Sequence, residues 1–84
     1  MYRIVTPPDA TEQVAALPKE ALVPYAQVLG LLQLVPWNGE PYNEAKPDGN
    51  MRQLMFGFRG QGFVTYLILE DQQRVDVLRV TWVG

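Results

Sequence analysis

The sequence contains no cysteine and no histidine. Without cysteine, disulfides, thiolate metal sites and cysteine nucleophiles are excluded. Without histidine the chain lacks the commonest general base and the commonest metal ligand, so any catalysis rests on carboxylates, Tyr, Lys or Arg. Charge is sparse too: seven basic residues face nine acidic ones, for a net charge of −2. That balance argues against a broad basic face able to grip nucleic acid unaided. No apolar run approaches membrane-spanning length. Met1-Tyr2-Arg3-Ile4-Val5 leads directly into strand-like sequence rather than a signal peptide. A cytoplasmic protein is expected, with no cofactor, no metal and no membrane contact.

What is present fits one domain over residues 1–84, with 48% hydrophobic residues and one modest core. Tyr2 to Thr6 is β-branched at Ile4, Val5 and Thr6 and reads as a short strand ended by Pro7-Pro8. Asp9 is the expected N-cap of a helix over Ala10 to Leu17, with Glu12 completing a capping box. Pro18-Lys19-Glu20 starts a second helix running to Leu34, with an apolar stripe at Leu22, Tyr25, Ala26, Leu29 and Leu32 that Val28 and Leu31 widen. Pro36 to Asn50 is a long turn-rich loop carrying Trp37 and Tyr42. Three strands follow, over Met51–Phe58, Phe63–Leu69 and Arg74–Val83, joined by turns at Gly57–Gly62 and Glu70–Gln73. The order β-α-α-β-β-β predicts an α+β two-layer fold, a helical hairpin on a mostly antiparallel four-stranded sheet.

Four cations are candidates for a phosphate-binding patch: Lys46, Arg52, Arg59 and Arg79. The competing reading is solvated strand and turn charge with acidic neighbours. Arg79 stands inside the apolar run Leu78-Arg79-Val80, where a lone charge needs a partner or a purpose. Strict alternation places it with Val75, Val77 and Thr81, opposite Leu78, Val80 and Trp82. Trp37, Tyr42 and Trp82 are candidates to stack on bases or to anchor a partner peptide, against a plainer role at the core edges. Glu40 and Glu44 are weaker candidates for a base near Lys46. Gly57-Phe58-Arg59-Gly60 matches the spacing of a KH-domain loop, but it lies between strands rather than helices and reads as a tight turn. Self-association through the apolar terminal strand, as a homodimer, is a further expectation.

Several segments together resemble the RelE/ParE toxin superfamily. They are the Ala15-Ala16-Leu17-Pro18-Lys19-Glu20 step between helices, Pro36-Trp37-Asn38-Gly39 with Glu40-Pro41-Tyr42, the strand Arg52-Gln53-Leu54-Met55-Phe56-Gly57, then Val64-Thr65-Tyr66-Leu67-Ile68 and Val75-Asp76-Val77-Leu78-Arg79-Val80. The resemblance implies the toxin of a bacterial type II toxin–antitoxin pair, held by a cognate antitoxin. RelE-type members are endoribonucleases that inhibit translation by cutting mRNA at the ribosome; ParE-type members inhibit gyrase. It implies Arg52 and Arg59 as catalytic, phosphate-contacting residues and Lys46 and Arg79 as further RNA contacts. Tyr42 and Trp82 become candidates for partner binding. The pattern departs where ribonuclease members carry an Arg before the strand Tyr, here Phe63, and where they carry a His-Arg pair or a Tyr after the last strand, here Trp82-Val83. Those departures open a second reading, a non-catalytic binding protein of the same fold, either a gyrase inhibitor or a non-toxic partner-binding relative.

Overall fold

The computed structural model describes residues 1–84. Arg3–Val5 forms β1, Pro8–Ala15 α1 and Lys19–Leu34 α2. Glu40–Pro41 forms β2, Met51–Phe56 β3, Gly62–Leu69 β4 and Arg74–Trp82 β5. The strands make one sheet in the order β1-β5-β4-β3-β2. β1 runs parallel to β5, and the other neighbours are antiparallel. Both helices pack on one face, so the two-layer α+β architecture is as the sequence implies. No helix is long and apolar enough to cross a membrane.

The sheet has five strands rather than four because the loop after α2 contributes β2. Pro36–Asn38 closes a 3-10 turn, and Glu40 and Pro41 then pair with Gln53 and Arg52. Pro41 has no N–H to give, which suits a position at the sheet edge. The backbone N–H of Tyr42 continues the ladder by donating to the Met51 carbonyl at 2.9 Å.

The first helix also begins earlier than its expected cap. Pro7 takes the N-cap position in extended backbone and Pro8 the first helical position, where a missing N–H costs nothing. Asp9 therefore lies within the first turn and makes no capping bond, and the capping box with Glu12 does not form. Its charge still complements the positive helix end.

On α2 the buried stripe is Ala21, Tyr25, Val28 and Leu32, turned by about one residue from the expected one. Leu22 is half exposed and Ala26 is exposed. No charge occurs between Glu20 and Glu40, so apolar side chains surround this helix and periodicity has little contrast with which to choose a face. Ala21 at the sheet side lets the helix approach closely. The stripe packs on Phe56, Val64, Tyr66, Ile68, Val75, Val77 and Val80 from the sheet.

The terminal strand is an interior one. β5 lies between β1 and β4, so it offers no full free edge for pairing with another chain. Beyond Asp76 its β1-side edge has no strand neighbour. There Gln13 of α1 reaches over, its Oε1 accepting the Val80 N–H at 2.6 Å.

Candidate functional site

Alternation in a flat ladder would put Arg79 on the same face as Val75 and Val77. The structure contains a β-bulge instead. Thr65 pairs with Arg79, the next residue Tyr66 pairs with Val77, and Leu78 is the extra residue. A bulge of this kind reverses the phase of the strand and re-aims its side chains. Val75 and Val77 before it, and Val80 after it, all point to the core. Leu78, Arg79 and Thr81 are exposed on the face away from the helices. Arg79 thus stands on the open face, where it makes no salt bridge and no side-chain hydrogen bond. The nearby carboxylate of Asp76 is already taken: Arg74 binds it twice, at 2.9 and 3.2 Å.

Around Arg79 the open face forms a shallow groove of about 460 Å³. Gln53, Thr65 and Arg79 make one cross-strand row across its floor. Phe63 and Thr81 make the adjacent row, and Leu78 lies beside them. Tyr42 and Met51 close one side, and Val83 lies at the end of the last strand. The groove is an apolar surface with three uncharged polar side chains, one phenol and a single cation. Gln53, Thr65 and Leu78 had no distinguishing signal in the sequence. Strand alternation alone could have flagged the first two, but the bulge that brings in Leu78 depends on tertiary pairing.

Arg52 occupies the opposite face of β3. It is the one buried charged residue, 9% exposed, and pairs across the ladder with Tyr66. Its Nε donates to the Gly49 carbonyl at 3.0 Å, Nη1 to Gly39 at 3.0 Å and Nη2 to Pro47 at 2.7 Å. A longer contact of 3.5 Å reaches the Trp37 carbonyl. The guanidinium carbon also lies 5.0 Å from the centre of the Trp37 ring, a cation–π arrangement. The planar fork of donors therefore gathers the carbonyls of one loop into a single knot. Arg52 as placed organises the Pro36–Asn50 loop, buried on the face opposite the groove and outside its lining.

Two further contacts hold that knot. The Tyr66 hydroxyl, fully buried, donates to the Pro36 carbonyl at 2.6 Å. Burial pushes its phenol up to about 12, against the opposing pull of the Arg52 charge and a Gly39 backbone bond. Gly39 has to be glycine, since a Cβ there would overlap the Tyr66 hydroxyl. On the outside, the Glu70 carboxylate accepts from Tyr2 Oη at 2.7 Å, Trp37 Nε1 at 2.7 Å and Gln73 Nε2 at 2.6 Å. The bonds from Tyr2 and Trp37 hold the Glu70 carboxyl below its usual range, and the same bond raises the Tyr2 phenol. Trp37 is thereby pinned on both its edge and its face.

The other candidates are dispersed. Lys46 lines a separate shallow depression with Asn43, Gly49 and Asn50. Arg59 sits at the tip of the β3–β4 turn. Trp82 packs on Phe56, ring centres 5.7 Å apart, at the edge of the core. Gly62 beneath it leaves no room for a side chain against the Phe56 ring. Of the candidates singled out in the sequence, Arg79 and Tyr42 share the groove, and no two of the four cations line one cavity.

Comparison with solved structures connects this geometry to a known fold. The isolated RelE toxin of E. coli matches with a TM-score of 0.79 at 11% identity, over 100% of this chain and 86% of that one. The chain has the RelE toxin fold. The intact E. coli RelBE toxin–antitoxin complex matches equally well, TM-score 0.79 at 12% identity over 100% and 99% of the two chains. The archaeal RelE–RelB complex of Pyrococcus horikoshii gives 0.65 at 14% identity, over 99% and 96%. No protein-family model and no curated protein matches the sequence. For this RelE-like chain the likeness is thus one of backbone architecture, spanning every element from β1 to β5.

Proposed function

We propose that this chain is the toxin of a toxin–antitoxin pair and that it works through the open face of its sheet, with Arg79 as the central polar contact. The observation that carries the reading is the correspondence of the whole chain with RelE toxin structures, one of them in a toxin–antitoxin complex. A cognate antitoxin is then its first partner. The apolar groove around Arg79 supports this, because a groove with one cation and several exposed apolar side chains suits a peptide segment. The action proposed is inhibition of translation by cutting mRNA at the ribosome. In that reaction a ribose 2′-hydroxyl attacks the adjacent phosphorus and the 5′-oxygen leaves. It requires a group to take the hydroxyl proton and a cation for the charge gathering on the phosphate oxygens. Arg79 supplies the cation. Tyr42, the one phenol lining the groove, is the group assigned to the proton transfer. Arg59 and Lys46, outside the groove, serve as peripheral phosphate contacts.

One observation favours a second reading. The groove holds a single cation and no carboxylate or histidine, a thin set for proton transfer. A non-catalytic toxin that binds a protein target such as gyrase through the same face requires no more than this. Induced expression in a bacterial host, with translation and DNA synthesis followed separately and mRNA ends mapped, separates the two. Prompt loss of translation with Arg79-dependent cuts within codons supports mRNA cleavage. Arrest with failing DNA synthesis and no new ends supports the binding toxin. Normal growth with abundant soluble protein removes both.

A further inference from the structure

The turn between β3 and β4 carries an unusual display. Phe58 at its tip is completely exposed, and Arg59 beside it makes no side-chain hydrogen bond or salt bridge. The tip is nevertheless tightly built. Gly57 and Gly60 take positive φ values of 95° and 66°, a backbone that favours glycine. The Gly60 N–H donates to the Gly57 carbonyl at 3.2 Å, and the Arg59 N–H donates to Gln61 Oε1 at 2.9 Å. A turn fixed by two glycines and two hydrogen bonds thus holds a large apolar ring and a cation out in water, where the ring gains nothing for the monomer.

Beside the tip lies a notch of about 530 Å³ between the turn and one face of α2. Val23, Pro24 and Gln27 floor it, and Glu20 stands at its rim. Val23 is 69% exposed, and Glu20, like Arg59, has no ionic partner. One continuous patch therefore offers an apolar anchor, an apolar recess, an unpaired cation and an unpaired anion. A patch holding both halves of each complementary pair fits a copy of itself through a two-fold axis, where every contact occurs twice.

We propose that a second copy of this chain docks on this notch, Phe58 of each protomer covering Val23 and Pro24 of the other while Arg59 of each pairs with Glu20 of the other. The contact lies at the α2 side of the molecule and leaves the Arg79 groove open, so it does not depend on the toxin reading; in the dimer Arg59 is paired with Glu20 and is not free to contact phosphate. It also differs from pairing through the terminal strand, which the interior position of β5 disfavours.

Analytical ultracentrifugation of the purified chain, from micromolar to millimolar concentration, tests it. The wild type is expected to show a reversible monomer–dimer equilibrium. Phe58→Asp is expected to weaken the dimer by roughly tenfold or more. Glu20→Arg and Arg59→Glu are each expected to weaken it, and the double exchange E20R/R59E to restore it to within about threefold of wild type. All three side chains are exposed, so at concentrations where every variant is monomeric the Tm should stay within a few degrees of wild type, the largest change being for Glu20→Arg in the first turn of α2. A chain that stays monomeric at millimolar concentration overturns the proposal. So does a dimer indifferent to Phe58→Asp, a double exchange that fails to rescue, or a notch whose NMR resonances move only when a different protein is added.

Discussion

Two arginines on neighbouring parts of one sheet have opposite circumstances. Arg52, on the helix side of β3, is buried, gives three short hydrogen bonds to loop carbonyls and stacks on Trp37. Arg79, on the open side of β5, is exposed and unpaired at one end of the polar row along the groove floor. The first turns every guanidinium nitrogen to a loop carbonyl, and its work is to shape the loop that carries Tyr42 to the groove rim. The second is held in place by backbone alone, through a bulge in β5, and keeps its donors for something else. A residue type that matches a family's functional position is thus not sufficient; the number of donors left free decides what it can contact.

The largest effect expected from this contrast is on stability. Arg52→Met should strand several buried carbonyls and cost about 3 kcal/mol or more, a fall of roughly 10 °C or more in Tm for a domain of this size. Arg52→Lys should recover little, because an ammonium cannot reproduce the planar fork. Thermal denaturation followed by circular dichroism would check both. A Tm for Arg52→Met within a few degrees of wild type would break the comparison.

Two tyrosines sharpen it further. Tyr66→Phe removes the buried hydroxyl bond to Pro36 and should cost about 1–3 kcal/mol. Tyr25 is also buried, but its hydroxyl has no partner, and its ring packs 5.6 Å from that of Phe56. Tyr25→Phe should therefore change stability by no more than about 0.5 kcal/mol, or raise it. Chemical denaturation of the two variants side by side would show whether the hydroxyl or the ring matters at each position. The alkaline limb adds a sign. The Tyr66 phenol is raised from 10 to about 12 in the fold, so its contribution is complete below pH 10 and lost as pH rises toward 12. Tyr66→Phe should flatten that limb.

A smaller effect is expected at the acid end. The Glu70 carboxyl is lowered in the fold from an ordinary value of 4.5, so its contribution is present above that value and is lost as pH falls below it. Glu70→Gln should shrink the acid loss of stability and loosen the pin on Trp37. Trp fluorescence during acid titration reports both, and an unchanged titration in Glu70→Gln would mean the three bonds to Glu70 do not hold the loop.

Much of this fold was legible in the sequence. The second helix runs over Lys19–Leu34 as its start signal and apolar content imply, and the three later strands agree within two residues at each end. The misreadings have specific causes. Adjacent prolines moved the start of α1 ahead of Asp9, because proline serves well at a first helical position. The uncharged run after Glu20 hid which face of α2 is buried. β2 is a two-residue strand whose existence depends on β3 being there to pair with it. The site was less legible still. Arg52 reads as a phosphate contact in one dimension because nothing in the sequence shows the carbonyls of Gly39, Pro47 and Gly49 converging on it. Arg79 drew notice as a charge in an apolar strand, but its face was misassigned, since one extra residue in β5 reverses everything after it.

The central claim is that the open face around Arg79 is the working surface, while Arg52 is part of the frame. The most direct test is induced expression of the wild type and of Arg79→Ala at matched protein levels, after confirming that the two share the same Tm within the small change expected of an exposed, unpaired side chain. The account predicts growth arrest by the wild type and near-normal growth with Arg79→Ala. Arrest undiminished in Arg79→Ala, or no arrest by the wild type, would contradict it.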